Sequence, residues 1–193
     1  MSKIYTSFET VSRAYNKVRT ELVDLGVLWN GSKLDKVPCF HDSFAFIAAL
    51  GGTMGWYNRR KKTITFPSLY LPIASLCMDL CAKAPAVDVL RHEFAHAIAD
   101  LYPKAVSRGG TFRTAFGGDC GDNPSEYSKL PEWNGAFVSA YAKKSTEEDF
   151  AETFMLYVKH KRKIPAKFAK NPAIRKKWKA VDEIVRRVAA SAS

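Results

Sequence analysis

The sequence predicts an α+β fold in one domain spanning residues 1–193, and three observations carry that expectation. Apolar residues recur at helical spacing in four separated stretches, around 8–25, 86–101, 146–158 and 174–188. Between the first two, β-prone runs from Thr53 to Asn58 and from Thr63 to Pro67 flank the basic turn Arg59-Arg60-Lys61-Lys62, which reads as a hairpin. A composition of 47% hydrophobic and 25% charged residues over 193 positions is that of a globular chain with a substantial core. Residues 1–103 form the part with the hairpin and a central helix, and 104–193 the more helical part with a basic end.

In chain order, Thr6-Ser7-Phe8-Glu9 has the pattern of a capping box, and Phe8, Val11, Tyr15, Val18, Leu22 and Leu25 form the stripe of a first helix that Gly26 ends. Val27-Leu28-Trp29 before Asn30-Gly31-Ser32 predicts a short strand entering a turn, and Val37 to Phe40 a second extended piece. His41 stands isolated and reads as structural or solvated. Ser43 to Leu50 is apolar without a deciding period, and Gly51-Gly52 breaks it. Beyond the hairpin, Ile73 to Cys81 predicts a short helix. Pro85 suits a first helical turn, and Leu90, Phe94, Ala97, Ile98 and Leu101 continue an apolar stripe until Tyr102-Pro103 stops it. From Pro103 to Trp133 regularity falls away except at Thr111–Phe116, and a loop this long in a compact domain points to the rim of a cleft. Asp119 and Asp122 there read as loop-forming residues. Ser145-x-x-Glu148 is a capping pattern opening a helix through Phe150, Phe154, Tyr157 and Val158. Ile174, Trp178, Val181, Ile184, Val185 and Val188 form a stripe that packs a last helix against the domain.

The chemistry concentrates at His92-Glu93-Phe94-Ala95-His96. On a helix, positions i and i+4 share a face one turn apart, so His92 and His96 can each present a ring nitrogen to one Zn2+ ion. Glu93 then lies beside the metal, placed to take a proton from water activated there. A third ligand is sought in Glu148 and Glu152, again at i,i+4. One carboxylate can bind the metal while the other accepts from the far nitrogen of a ligand histidine, and the cation between them relieves their repulsion. Asp100, four residues beyond His96, shares its face but sits a turn further along, which suits an orienting or capping role.

The set formed by His92-Glu93-x-x-His96, Tyr141 and Glu148-Asp149-Phe150-Ala151-Glu152 resembles the catalytic domain of the anthrax lethal factor and Pro-Pro endopeptidase group of gluzincin metallopeptidases, over roughly residues 86–160. The resemblance implies a zincin-like metallopeptidase fold, hydrolysis of peptide bonds in a peptide or protein substrate, and one zinc ion held by His92, His96 and Glu148. It further implies Glu93 as general base, Tyr141 as the hydroxyl that hydrogen-bonds the developing oxyanion, and Glu152 as the carboxylate behind a ligand histidine. Glu152 as ligand is the competing choice, and Tyr141 seven residues before Glu148 favours Glu148. A metzincin would carry a His six residues after His96, where this chain has Tyr102, and a SprT-type site would need a further His where only His160 exists. Zincin-type peptidases also run a sheet edge beside the substrate, a role open to one strand of the hairpin.

Cys39, Cys77, Cys81 and Cys120 include no C-x-x-C pair and read as small buried hydrophobes. With no apolar signal region after Met1 and no run long enough to span a membrane, the expectation is cytoplasmic. The net charge of +11 is uneven: residues 159–193 hold twelve Lys or Arg against Asp182 and Glu183, a surplus of +10. Such a segment is a solvated helix face or a surface for nucleic acid or an acidic partner. The second functional reading is accordingly a non-catalytic binding or structural protein that keeps the zincin core and uses this segment, and an intact Glu93 argues against it.

Overall fold

A computed structural model describes residues 8–42, 55–67, 85–120 and 136–192. The capping box at Thr6-Ser7, the apolar run Ser43–Leu50, the helix expected at Ile73–Cys81, and Cys77, Cys81 and Asp122 lie outside them. The described elements are α1 (Phe8–Asp24), β1 (Cys39–Asp42), β2 (Trp56–Asn58), β3 (Thr63–Pro67), α2 (Ala86–Leu101), α3 (Pro103–Ser107), α4 (Thr111–Phe116), α5 (Thr146–Lys159) and α6 (Pro172–Ala189), with single 3-10 turns at Arg108–Gly110, Tyr141–Lys144 and Ala190–Ala192. Helices around a small sheet make the fold α+β. No helix among the described residues is long and apolar enough to cross a membrane.

The sheet has the order β1-β3-β2. β2 and β3 pair antiparallel, with Trp56 opposite Thr65 and Asn58 opposite Thr63, as the hairpin reading anticipated. Asn58 closes the turn by accepting from Lys61 N at 2.9 Å, and Lys62 takes the left-handed φ of 54° that reverses the chain. β1 joins β3 in parallel, Cys39 opposite Ile64, so β2 is left as the edge beside α2.

α1 buries Val11, Ala14, Val18 and Leu22, but Phe8 at the start of the expected stripe is 70% exposed. Gly26 takes φ 75°, as its helix-ending role requires. The strand expected at Val27–Trp29 does not form. The amides of Val27 and Leu28 both donate to the carbonyl of Leu22, so the end of α1 satisfies that backbone while Val27 and Leu28 point into the core. A second correction concerns the segment after Tyr102: Pro103 ends α2 and also opens α3, because its fixed φ suits the first position of a helix whose amide needs no partner. Val106 then anchors α3 in the core.

α2 runs through the middle of the molecule. Its inner face buries Leu90, Phe94, Ala97 and Ile98, and Phe94 stacks on Tyr15 of α1 with ring centroids 5.9 Å apart. Burying a side chain such as Phe94 contributes roughly 2–3 kcal/mol. Away from the histidines, Arg91 donates to both carboxylate oxygens of Glu21 at 2.8 and 2.6 Å and to Asp88 at 2.5 Å, while Lys159 reaches the other oxygen of Asp88 at 2.6 Å. One group of four charges thus ties α1, α2 and α5 together. On the opposite flank of α5, Lys177 from α6 meets Asp149 at 2.5 Å with both side chains fully buried, and also donates to the carbonyl of Ala136 at 2.6 Å. The stripe of α6 is buried at Ile174, Trp178, Val181, Ile184, Val185 and Val188, as expected.

Candidate metal centre

α2 turns His92, Glu93 and His96 toward α5, and all three are largely withdrawn from solvent. α5 owes its register to Ser145, whose side-chain oxygen accepts from Glu148 N at 3.0 Å. That cap places Glu147 and Glu148 in the first turn, where the helix dipole favours negative charge, and Glu152 one turn later. The two helices therefore face each other as two histidines against three carboxylates.

Nε2 of His92 and Nε2 of His96 lie 3.1 Å apart, and Oε2 of Glu148 lies 2.9 Å from the first and 3.5 Å from the second. One ligand atom from each of the three residues falls within 4.8 Å of the others. Glu148 Oε2 is buried and is not aligned for a hydrogen bond with any described residue. Three lone-pair donors converging on a point, one of them a buried oxygen without a hydrogen, suit a divalent cation, and two imidazoles with a carboxylate suit zinc. The far nitrogens are also engaged: His92 Nδ1 is 2.8 Å from Glu152 Oε1, and His96 Nδ1 is 2.9 Å from Glu147 Oε1. Ser139 donates to Glu152 Oε2 at 2.7 Å, and Arg59 from the hairpin turn pairs with Glu147.

The electrostatics follow from this packing. Burial disfavours the imidazolium of His92, but Glu148 and Glu152 more than reverse that and lift its pKa to about 9. At His96 burial is likewise overcome, by Glu147 and Glu148, to about 10. Burial would raise Glu148, and the two imidazoles instead hold it at about 2. The cluster in its metal-free form thus favours cations at the rings, and a metal ion would supply that charge in place of protons. Glu93 differs, since burial pushes its carboxyl above the ordinary value. Its Oε2 accepts from the main-chain amide of Tyr57 on β2 at 2.7 Å.

Tyr141 places its ring edge-on to His92, centroids 5.7 Å apart, with Lys144 Nζ 4.0 Å over the Tyr141 ring. Burial pushes its hydroxyl up to about 12. Trp56, Tyr57, Glu93, Tyr141 and Glu148 border a cleft of about 290 Å³ that opens onto both histidines. Of the residues proposed from sequence, His92, Glu93, His96, Tyr141, Glu148 and Glu152 come together here. Asp100 is engaged by the hairpin, accepting from Tyr57 OH at 2.8 Å and Lys62 Nζ at 2.5 Å. Asp119 accepts from Arg113 at 3.0 Å, and its carbonyl accepts from Thr146 Oγ1 at 2.8 Å. Four contributors were not anticipated: Glu147, Ser139, Arg59 and the amide of Tyr57. Two ligand histidines call for two orienting acceptors, and Glu147 takes the place that the sequence offers to Asp100, whose carboxylate is held by the hairpin instead.

A family model described as "putative zinc-binding metallo-peptidase" matches residues 86–186, just over half of the chain. No curated protein and no solved structure gives a significant match.

Proposed function

Because the chain belongs to this family of zinc-binding metallopeptidases, we propose that it is a metalloendopeptidase of the gluzincin type, similar to the lethal factor and Pro-Pro endopeptidase group. In this reading Nε2 of His92, Nε2 of His96 and Oε2 of Glu148 hold one Zn2+. The observation that supports it best is the two-sided engagement of each imidazole, with Nε2 aimed at the shared point and a carboxylate behind Nδ1. A bound zinc ion supplies Lewis acidity, polarising the scissile carbonyl and making water acidic enough to be deprotonated near neutral pH.

The remaining work falls to the protein. Glu93 has Oε2 tied to Tyr57 N, which leaves Oε1 to accept the proton of the attacking water and pass it to the leaving amine. Its raised pKa brings that transfer closer to balance at neutral pH. Tyr141 keeps its proton across the physiological range and can donate it as a hydrogen bond to oxygen as negative charge builds there. β2, an edge of the sheet among the described residues, borders the cleft, and with the Tyr57 amide held by Glu93 an extended peptide would pair with main-chain groups of that strand other than this amide. The deciding experiment is Glu93→Gln, assayed for zinc content and for cleavage of unstructured protein substrates. Zinc should stay near one per chain while cleavage disappears, and cleavage at the wild-type rate would overturn the assignment.

A further inference from the structure

Of the twelve Lys and Arg residues in 159–193, four are neutralised within the fold: Lys159 by Asp88, Lys177 by Asp149, Arg186 by Asp182 and Arg187 by Glu183. The other eight fall between Lys161 and Lys179, are all exposed, and form no ion pair among the described residues. Four of them, Arg162, Arg175, Lys176 and Lys179, line two walls of one groove, and the other four lie along the chain between those walls or beside them. One wall is the turn after α5, where Lys161 and Arg162 both take left-handed φ values of 50° and 68°. The other is the N-terminal half of α6, with Arg175, Lys176 and Lys179.

Between the walls runs a groove of about 550 Å³. At its base Trp178 Nε1 donates to the carbonyl of Arg162 at 2.8 Å and the amide of Arg162 donates to Tyr157 O at 2.9 Å, so the turn is fixed against the helix. The acid that lines the groove, Asp182, is already taken by Tyr157 OH at 2.6 Å and by Arg186. Unpaired cations on a fixed frame cost stability through self-repulsion, and an anionic ligand relieves that cost.

We propose that this groove binds the phosphate backbone of duplex nucleic acid without reading its bases. Two of the four cations that line the groove are lysines and the four beside it are all lysines, point charges on flexible stems that suit a diffuse phosphate field better than bidentate pairing with carboxylates. An interface with an acidic protein would call for exposed aromatic or aliphatic anchors, and the large exposed hydrophobics among the described residues, Phe8, Val23, Phe40 and Tyr141, all lie elsewhere. The same lack removes the stacking platform that single-stranded binding uses, since Trp178 is buried and Phe168 lies under Lys167 Nζ at 4.6 Å. The groove sits at the far end of α5, about 16 Å of helix rise from Glu148, so a bound duplex leaves the metal cleft open.

The test is fluorescence anisotropy of the full-length protein with a labelled random-sequence DNA duplex of about 20 base pairs, between about 50 and 300 mM NaCl. Binding should weaken steeply with salt, with a log-log slope of about −4 if only the four groove cations meet phosphates and about −7 if all eight do. The variant R175E/K176E/K179E should bind at least about tenfold more weakly, with a slope shallower by about 2 to 3, while zinc content and peptide cleavage stay at wild-type levels. If that variant unfolds, K161Q/K163Q, which flank Arg162 of the opposite wall in sequence, should weaken binding in the same sense. Wild-type affinity in the folded variants, or a slope near zero, overturns the proposal. So does competition by polyglutamate that equals competition by the duplex, which would reassign the groove to acidic proteins.

Discussion

Glu147 Oε1 lies 2.9 Å from Nδ1 of His96, and this contact fixes which nitrogen of the ring turns toward Glu148. With a carboxylate at Nδ1, the hydrogen of the neutral ring belongs there and the Nε2 lone pair is free for a cation. Glu147→Ala should therefore weaken zinc binding about 10–100-fold, as measured by competition with a chromophoric chelator, and Glu152→Ala should do the same through His92. Unchanged affinity in Glu147→Ala would mean that His96 is oriented by packing alone.

Glu148 should behave differently from both neighbours. Its Oε2 is the oxygen that approaches both Nε2 atoms, so Glu148→Ala should leave the protein without stoichiometric zinc after dialysis, whereas Glu152→Ala retains a weakened site. If the two variants exchanged these outcomes, the third ligand would be Glu152.

The acid-base behaviour of the metal-free protein has a defined sign. The folded pKa values of about 9 for His92 and about 10 for His96 lie above the ordinary 6.5, so their stabilisation is complete below that value and is lost as pH rises through 9 to 10. Glu148, held at about 2 against an ordinary 4.5, contributes above 4.5 and loses that contribution as pH falls toward 2. With a chelator present, the Tm should thus be higher in the weakly acidic range than at alkaline pH. Zinc affinity should change in the opposite sense, rising with pH, because the cation needs neutral rings. Thermal unfolding with and without zinc across this range checks both signs, and a metal-free Tm that climbs toward pH 10 would refute the first.

Lys177→Met leaves Asp149 buried beside an apolar side chain, and should cost about 3–5 kcal/mol in urea unfolding. Replacing both residues, as Lys177→Met with Asp149→Leu, should recover much of that loss. A single variant as stable as wild type would show that water reaches Asp149.

At Gly55 an added Cβ would sit 3.0 Å from Val89 Cγ1 on α2 and 3.4 Å from the Phe66 ring. Gly55→Ala should push β2 away from α2, costing about 1–3 kcal/mol and lengthening the contact between Tyr57 N and Glu93. The expected reading is a lowered kcat with full zinc content. Wild-type kcat would show that the strand does not position Glu93.

The parts legible in the sequence were those governed by local spacing. The i,i+4 histidines, the Ser145 cap, the left-handed Gly26 and the stripe of α6 each follow from a few neighbouring residues. Val27–Trp29 misled because apolarity reports burial but not which partner satisfies the backbone, and here that partner is Leu22 O. Arg59, Ser139 and the amide of Tyr57 were hidden for a related reason. Each acts across the fold on α2 or α5, and Tyr57 acts through a main-chain group that every residue type shares.

The four-charge group behind the metal cleft also limits how the protein can be shortened. Family resemblance begins at residue 86, yet Arg91 has its bidentate partner in Glu21, and the ring of Phe94 is covered by Tyr15. A fragment cut at residue 86 would expose an aromatic face and leave Arg91 with Asp88 but without its bidentate partner, beneath the helix that carries both histidines. The edge of the matched sequence therefore falls inside one packed body, and α1 supports the helix of the two histidines directly.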